Sequence, residues 1–400
     1  MKRTSPHAML DPQFGDAGQA VLPSDLVAVL GLSHQPDGTT LLAGSCPDGL
    51  FVSRLLKNGQ TDARYGQDGA IRGVVESGHI IVAEAAHALE NDRTLVLCSG
   101  RSPDIYGVIP LVACYHNDGR LDAGYAENGS RYLYYPDGRG VSNPSAPASG
   151  FSALTPSGKL LTTWWYPSHA RTVTFRLDEQ GQLDTSFNGI GHVVLDPALR
   201  NGSASTLLLL ASGRILVAGG FNDGSGTTRP FLVRYTDDGT LDADFGQGGI
   251  VALDQYPGCQ ALAWVEQRDG RLIGFGRDAS NQCWMVALHP DGRLDPSFVQ
   301  EKVAEVFQWT SAAMDGDRLV TVGHTANPHD VVVARYLTDG SLDREFADGS
   351  GWFRHDLSGT EEQNAPNAIQ VTAQGLLIGG FVYRQTIPHG FVARLTDLML

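Results

Sequence analysis

Several common structural and chemical signatures are missing from this 400-residue chain. Apolar runs such as Leu207–Ala211 stop after a handful of residues, far short of the roughly 20 that cross a bilayer as a helix. The start, with only Lys2 and Arg3 as basic residues and no apolar stretch behind them, lacks the pattern of a secretory leader, so the expectation is a cytoplasmic protein, with export by another route left open. Charged residues are only 18% of the chain and leave a formal net charge of −15 with no offsetting basic cluster. Such a surface repels phosphate backbones and acidic membranes, which excludes nucleic acid as the expected partner. The five cysteines, Cys46, Cys98, Cys114, Cys259 and Cys283, form no CxxC pair and sit within apolar stretches, as small buried hydrophobes do in a reducing compartment. HExxH, GxSxG, phosphate-loop and dinucleotide-binding patterns are absent in the contexts where they would work, so no catalytic residue, metal or cofactor is expected.

The chain is rich in repetition and turns. Seven segments share a Leu-Asp-x-x-aromatic core, starting at Leu10, Thr61, Leu121, Leu183, Leu241, Leu294 and Leu342, at spacings between 48 and 62 residues. Their second position is always Asp and their fifth always Phe or Tyr. A Gly and a short apolar strand follow the core, as in GHVVL from Gly191. A second strand, a tight turn and two more strands lead to the next core. Asp-Gly pairs at 37–38, 118–119, 238–239, 291–292 and 339–340 lie between alternating apolar runs, where Gly supplies positive φ and Asp caps nearby amides. The Asp118-Gly-x-x-Asp122 spacing loosely resembles a calcium loop but lacks the upstream acidic ligands, so it reads as turn capping. Five of the seven units carry an arginine, Arg54, Arg176, Arg234, Arg335 or Arg394, five residues before the hairpin Gly or its equivalent, where a hairpin brings it back near a core Asp. Cys114 and Ala287 stand in the other two units, so those Asp residues are expected to have backbone partners as well.

Four short strands per unit without helical periodicity predict an all-β, seven-bladed β-propeller with four-stranded antiparallel blades, occupying residues 1–400 as a single domain. The last strand, Phe391–Leu395, has no core after it, while the first core, at Leu10, has no unit before it. The N-terminal strand is therefore expected to complete the C-terminal blade and close the ring. The x-D-G before each core and the Gly-apolar strand after it resemble the delta-60 repeat, a family of bacterial propeller-like proteins. The resemblance runs from Leu10 to Asp397, departing at Thr61, in place of Leu, and at Val299, where the sixth unit is abbreviated. It implies a fold and no chemistry, because the family has no assigned activity.

Turns that are alike in every unit serve the fold, and the connections that differ are free to serve a site. The Asp-Gly hairpins and cores belong on one face of the ring and the variable connections on the other. The variable face collects WWYPSHARTV from Trp164, the insert from Tyr134, FNDGSGTTRP from Phe221 and FVYRQTIPHG from Phe381. Its candidate binding residues are Trp164, Trp165, Tyr166, Arg171, Asn222, Asp223, Arg277, Trp284, His324, Tyr383 and Arg384. Aromatic and guanidinium groups on rigidly held loops suit a glycan or peptide, although Trp164 and Trp165 serve equally well as a plain cover for the sheet end. His87, on an innermost strand, is a candidate for the central channel, either as an acid/base group or as a satisfied core histidine. The leading expectation is a monomeric, non-enzymatic binding or scaffold propeller with a protein or carbohydrate ligand. The alternatives are a lyase or hydrolase at the channel mouth, drawing on His87, Asn222, Asp223, Glu361, Glu362 and His324, and a structural surface module.

Overall fold

A computed structural model of the chain describes residues 9–73, 82–101, 108–137, 150–167, 169–196, 199, 201–222, 226–280, 282–326, 330–359 and 362–396. Their strands fall into seven antiparallel sheets. The first blade is β2 (Ala28–His34), β3 (Thr40–Cys46), β4 (Gly49–Leu55) and β5 (Ala70–Gly73). The second is β6 (Val82–Leu89), β7 (Arg93–Arg101), β8 (Val108–His116) and β9 (Ser130–Tyr132). The third is β10 (Gly150–Leu154), β11 (Leu160–Tyr166), β12 (Arg171–Leu177) and β13 (His192–Val194), and the fourth β14 (Ser203–Leu209), β15 (Ile215–Asn222), β16 (Thr228–Tyr235) and β17 (Ile250–Ala252). The fifth has three strands, β18 (Gln260–Glu266), β19 (Leu272–Arg277) and β20 (Cys283–Leu288). The sixth is β21 (Val306–Asp315), β22 (Arg318–Thr325), β23 (Val331–Tyr336) and β24 (Trp352–His355). The seventh joins β25 (Asn364–Thr372), β26 (Gly375–Arg384) and β27 (Ile387–Thr396) to β1 (Met9–Leu10). The molecule is a seven-bladed propeller, with apolar clusters filling the seams between neighbouring sheets.

The ring closes as expected: Met9 and Leu10 pair with Thr396 and Leu395, and Gln19 bridges Ala393. The fifth blade departs from the expected four strands. After the core aromatic, the other units place Gly15, Gly66, Ala126, Asn188, Gly246 and Ala347 at positive φ, which swings the chain back along its own blade. Val299 occupies that position in the fifth blade, and a β-branched residue resists the left-handed region. The segment instead runs on along the next blade: beyond the bond from Val299 N–H to the Asp339 carbonyl, which has counterparts such as Gly66 to Asn117 and Gly246 to Asp291 in other units, Glu301 also donates its N–H to Gly340.

Each repeat signature has a structural role on the hairpin face. The core Asp accepts its blade's arginine at 2.5–2.8 Å in the pairs Arg54–Asp62, Arg176–Asp184, Arg234–Asp242, Arg335–Asp343 and Arg394–Asp11. The same five guanidinium groups lie 4.5–5.1 Å from the centres of the core rings Tyr65, Phe187, Phe245, Phe346 and Phe14. In the two units without this arginine the core Asp does not depend on backbone donors alone. Arg93 reaches Asp122 at 3.1 Å and Arg271 reaches Asp295 at 3.0 Å, both from the start of the second strand. Lys159, Arg214 and Arg318 add a second cation from the same place in the third, fourth and sixth blades.

The first strand of each blade lines the axis. Six of these strands carry a bulge at equivalent points, which leaves Leu30, Glu84, Ser205, Leu262, Thr310 and Asn367 as extra residues. The second strand is pressed so tightly against the bulge that Gly fits best: a Cβ at Gly276 would stand 1.8 Å from the Gln260 carbonyl oxygen.

Two expectations follow. Burial alone would raise the Asp62 carboxyl, but hydrogen bonds from Arg64 and Arg54 outweigh it and hold the pKa at about 2. Asp122, Asp242, Asp295 and Asp343 are also lowered. An unfolded carboxyl titrates near 4, so this stabilisation is complete above that pH and is lost as pH falls through the folded values. The melting temperature is therefore expected to drop between about pH 4 and pH 2, and less steeply in Asp62→Asn; identical slopes in the two proteins would contradict the pairing. Gly276→Ala is expected to cost about 1–3 kcal/mol in urea denaturation through overpacking.

Candidate functional site

Within an antiparallel blade the first–second and third–core turns share one end, so the second–third turns and the inter-blade crossings lie at the other. The candidate residues described here distribute along that second rim, in five different blades. Three of them, Trp164, Tyr166 and Trp284, belong to the core. The strict alternation of β11 puts Trp164 and Tyr166 in the seam toward the second blade, both fully buried. Trp164 Nε1 donates to Thr162 Oγ1 at 2.8 Å and Tyr166 Oη to the Leu133 carbonyl at 2.6 Å. At the start of the Tyr134 insert, Tyr135 lies edge-on to Tyr166 and stacked at 3.8 Å on His169, which in turn approaches Asp137 at 3.3 Å. The aromatic wealth of the third unit is thus largely spent on packing, leaving Trp165 and Arg171 half-buried at the rim.

Other candidates also do local work. Asn222 Oδ1 accepts the Gly226 N–H and shapes its own turn. Trp284 is buried edge-on against Tyr256. Tyr383 packs edge-on against Phe381, and Arg384 is exposed at the tip of the β26–β27 hairpin. Glu362 accepts the Gln385 N–H with both carboxylate oxygens at 2.9 Å, holding that turn. Asp223 and Glu361 fall outside the described residues.

The structure brings Arg277 and His324 together on an aromatic ring not foreseen from the sequence. Phe307 stands near the start of β21, at a second slip in that strand's register, and its half-buried ring faces the junction between the fifth and sixth blades. The Arg277 guanidinium carbon lies 4.9 Å from the ring centroid, and the His324 ring centre 5.8 Å. Gln260, exposed, is Arg277's cross-strand neighbour. His324 Nδ1 lies 2.9 Å from the Thr325 carbonyl, which can only accept, so Nδ1 carries a proton and, in the neutral ring, Nε2 keeps its lone pair. The patch therefore offers an apolar ring face, a fixed cation, an amide and an imidazole acceptor.

His87 stands on β6, the first strand of the second blade, and meets the third blade. Its Nε2 lies 2.8 Å from Ser152 Oγ on β10, tying the second blade to the third. Burial lowers its pKa to about 4. The imidazole is neutral at physiological pH and works as a cross-blade tether. Among the described residues no group of three or more His, Cys, Asp or Glu could hold a metal ion, and no helix is long and apolar enough to cross a membrane.

A family model described as a domain of unknown function (DUF5122) beta-propeller matches residues 210–245 and 317–346. Two stretches of the chain thus match a beta-propeller repeat model of unknown function. These correspond to the delta-60 units read from the sequence, and the two matched stretches cover the second hairpin, third strand and core of the fourth and sixth blades. No curated protein matches the chain in sequence. Among solved structures, the lectin BP39L from Burkholderia pseudomallei is similar with a TM-score of 0.56 at 12% identity, covering 94% of this chain and 98% of that one. The polysaccharide lyase Uly1 is similar with a TM-score of 0.51 at 9% identity, covering 99% and 94%. A PL25 ulvan lyase bound to -[GlcA(1-4)Rha3S]- also has a TM-score of 0.51, at 10% identity, covering 94% and 96%. At these identities the likeness is one of fold.

The tether yields a direct check. In a proton-NMR titration His87 is expected to remain neutral from pH 8 to pH 5, with a midpoint near 4, and to move toward 6.5 in the urea-unfolded chain. A native midpoint of 6.5 would mean the ring is open to bulk water.

Proposed function

We propose that the protein is a non-enzymatic binding propeller that presents its variable face to a carbohydrate, with the Arg277–Phe307–His324 patch as the principal contact. The observation that carries this reading is the half-exposed Phe307 ring flanked by a guanidinium and an imidazole beside an exposed amide. A sugar presents an apolar C–H face and a rim of hydroxyl groups. The ring suits the first, while Arg277, Gln260 and the His324 Nε2 lone pair suit the second. Trp165, Arg171, Tyr383 and Arg384 lie on the same rim in other blades and are candidates for contacts to a longer chain. The presence of a lectin and two polysaccharide lyases among similarly folded structures is compatible with a glycan ligand and supports no particular sugar.

The enzymatic alternative rests on one observation, the His87–Ser152 pair between the second and third blades. A neutral imidazole next to a hydroxyl is the arrangement of a general base and a nucleophile. With a pKa near 4, however, His87 is a weak proton acceptor at neutral pH, and its bond to the neighbouring blade accounts for its position.

Glycan-array screening followed by calorimetry is the test. Phe307→Ala is expected to weaken glycan binding at least tenfold, the scale of about 1.4 kcal/mol from a lost stacking contact, with little change in melting temperature. Binding unchanged by Phe307→Ala would remove the patch from the site, and an array without hits would leave the protein-ligand form of the reading.

A further inference from the structure

Six of the seven third strands are covered on their outer side: β4 by β5, β8 by β9, β12 by β13, β16 by β17, β23 by β24 and β27 by β1. The covering strand satisfies the backbone groups that point outward. In the fourth blade Arg234 N–H bonds to Gly249 O at 2.9 Å and the Pro230 carbonyl accepts Leu253 N–H at 3.0 Å, with Leu232 paired to Val251 between them. Counted back from the hairpin glycine, the same places in β20 fall to Ala287, Cys283 and Met285. β20 pairs with β19 alone. Among the described residues the Ala287 N–H, the Met285 N–H and C=O and the Cys283 C=O have no outward hydrogen bond.

The chain that follows the fifth-blade core fills the seam instead of the edge. Val303 is buried in the cluster that holds Cys283 and Met285, and Lys302 Nζ reaches Gln282 Oε1 at 3.4 Å. β20 keeps a trace of solvent as a result. Trp284 is 8% exposed, where Phe51, Leu111, Val173, Phe231 and Val332 at the same place are 0%. Met285 is 6% exposed, against 0% for Val52, Val112, Leu232 and Val333. An open edge is normally blunted by lysine, proline or a bulge. Cys283–Leu288 has no charged residue, no proline and no shift of register against β19. Pro110 and Pro230 occupy the Cys283 place in two blades whose edge is already covered.

We infer that β20 pairs, antiparallel and across a two-fold axis through Met285, with β20 of a second copy of this chain. The pattern is self-complementary. Met285 exchanges N–H and C=O bonds with Met285 of the second copy, and each Ala287 N–H meets the Cys283 carbonyl of the other. All the orphaned groups are then satisfied, in one sheet with three strands from each copy. Both strands are already extended and held in place, so the pairing orders no new chain, as capture of a loose peptide would have to. The lack of charge also favours a second copy: each chain carries a net −15, and the paired strands bring no carboxylate against another. The blades radiate from one axis, so the fourth and sixth turn away on either side of the contact. The dimer stands apart from the Phe307 patch and from whatever binds there.

Sedimentation velocity on the full chain over about 5–500 µM, a range suited to a small reversible interface, tests the inference. The sedimentation coefficient is expected to rise from that of a monomer to that of a dimer. Hydrogen–deuterium exchange on the same samples is expected to slow two amides in the β20 peptide at the upper concentration. The matching β16 and β23 peptides are expected to exchange alike at both ends of the range. Met285→Pro removes an outward N–H at an edge, where proline is tolerated, and is expected to weaken the dimer at least tenfold. Should that variant not fold, the exchange of the parent chain decides. A dimer undiminished in Met285→Pro, or one that leaves β20 exchange unchanged, would overturn the inference. A chain that stays monomeric throughout would overturn it too and leave the edge to a foreign strand.

Discussion

The ring depends on a single charged contact made repeatedly: a buried aspartate gripped by arginine over a buried aromatic ring. The aspartate caps its own turn, as when Asp343 Oδ1 accepts the Glu345 N–H at 3.0 Å while Arg335 holds the other oxygen at 2.7 Å. The arginine covers the ring that plugs the seam and, in several blades, continues to a carbonyl of the next blade. One set of side chains thereby fixes a turn, a sheet and a junction. Burying ions this deeply is costly unless every lone pair and proton is occupied, and removing one partner would leave the other stranded. This explains why the motif is retained as a unit and why, where the third-strand arginine is lost, a cation arrives from the second strand.

The division of labour between the two faces follows from the same contact. Hairpins that must deliver an aspartate and an aromatic to fixed positions tolerate little change in length or chemistry. The crossings at the other end carry no such duty, and they differ from blade to blade, from the compact Cys46–Gly49 turn to the ten-residue strands of the β26–β27 hairpin. A rigid ring with a free rim suits recognition, since the loops are held without taking part in the folding.

The architecture was legible because each unit repeats its turn chemistry, and the pairing of β1 with β27 followed from the incomplete units at the two ends. The fifth blade's missing strand was foreshadowed at Val299, although its consequence needed the backbone to be seen. The role of Arg93 and Arg271 was missed despite a visible signal, a basic residue just after the first turn that recurs as Lys159, Arg214 and Arg318. The site was less legible. Trp164, Trp165 and Tyr166 look alike as a run, yet the two-residue period of the strand sends the first and third inward. Phe307 lies inside a strand with nothing nearby in sequence to mark it, because its partners Arg277 and His324 come from two different sheets.

The closure of the seventh blade also decides how the molecule responds to tension. Its first and last strands are neighbours, so a pull on both chain ends loads the few hydrogen bonds between Met9–Leu10 and Leu395–Thr396 before any other blade is stressed. The seam that completes the circle is then the first to part, and the Asp11–Arg394 ion pair, also spanning the two ends, stands directly behind it as a second line of resistance.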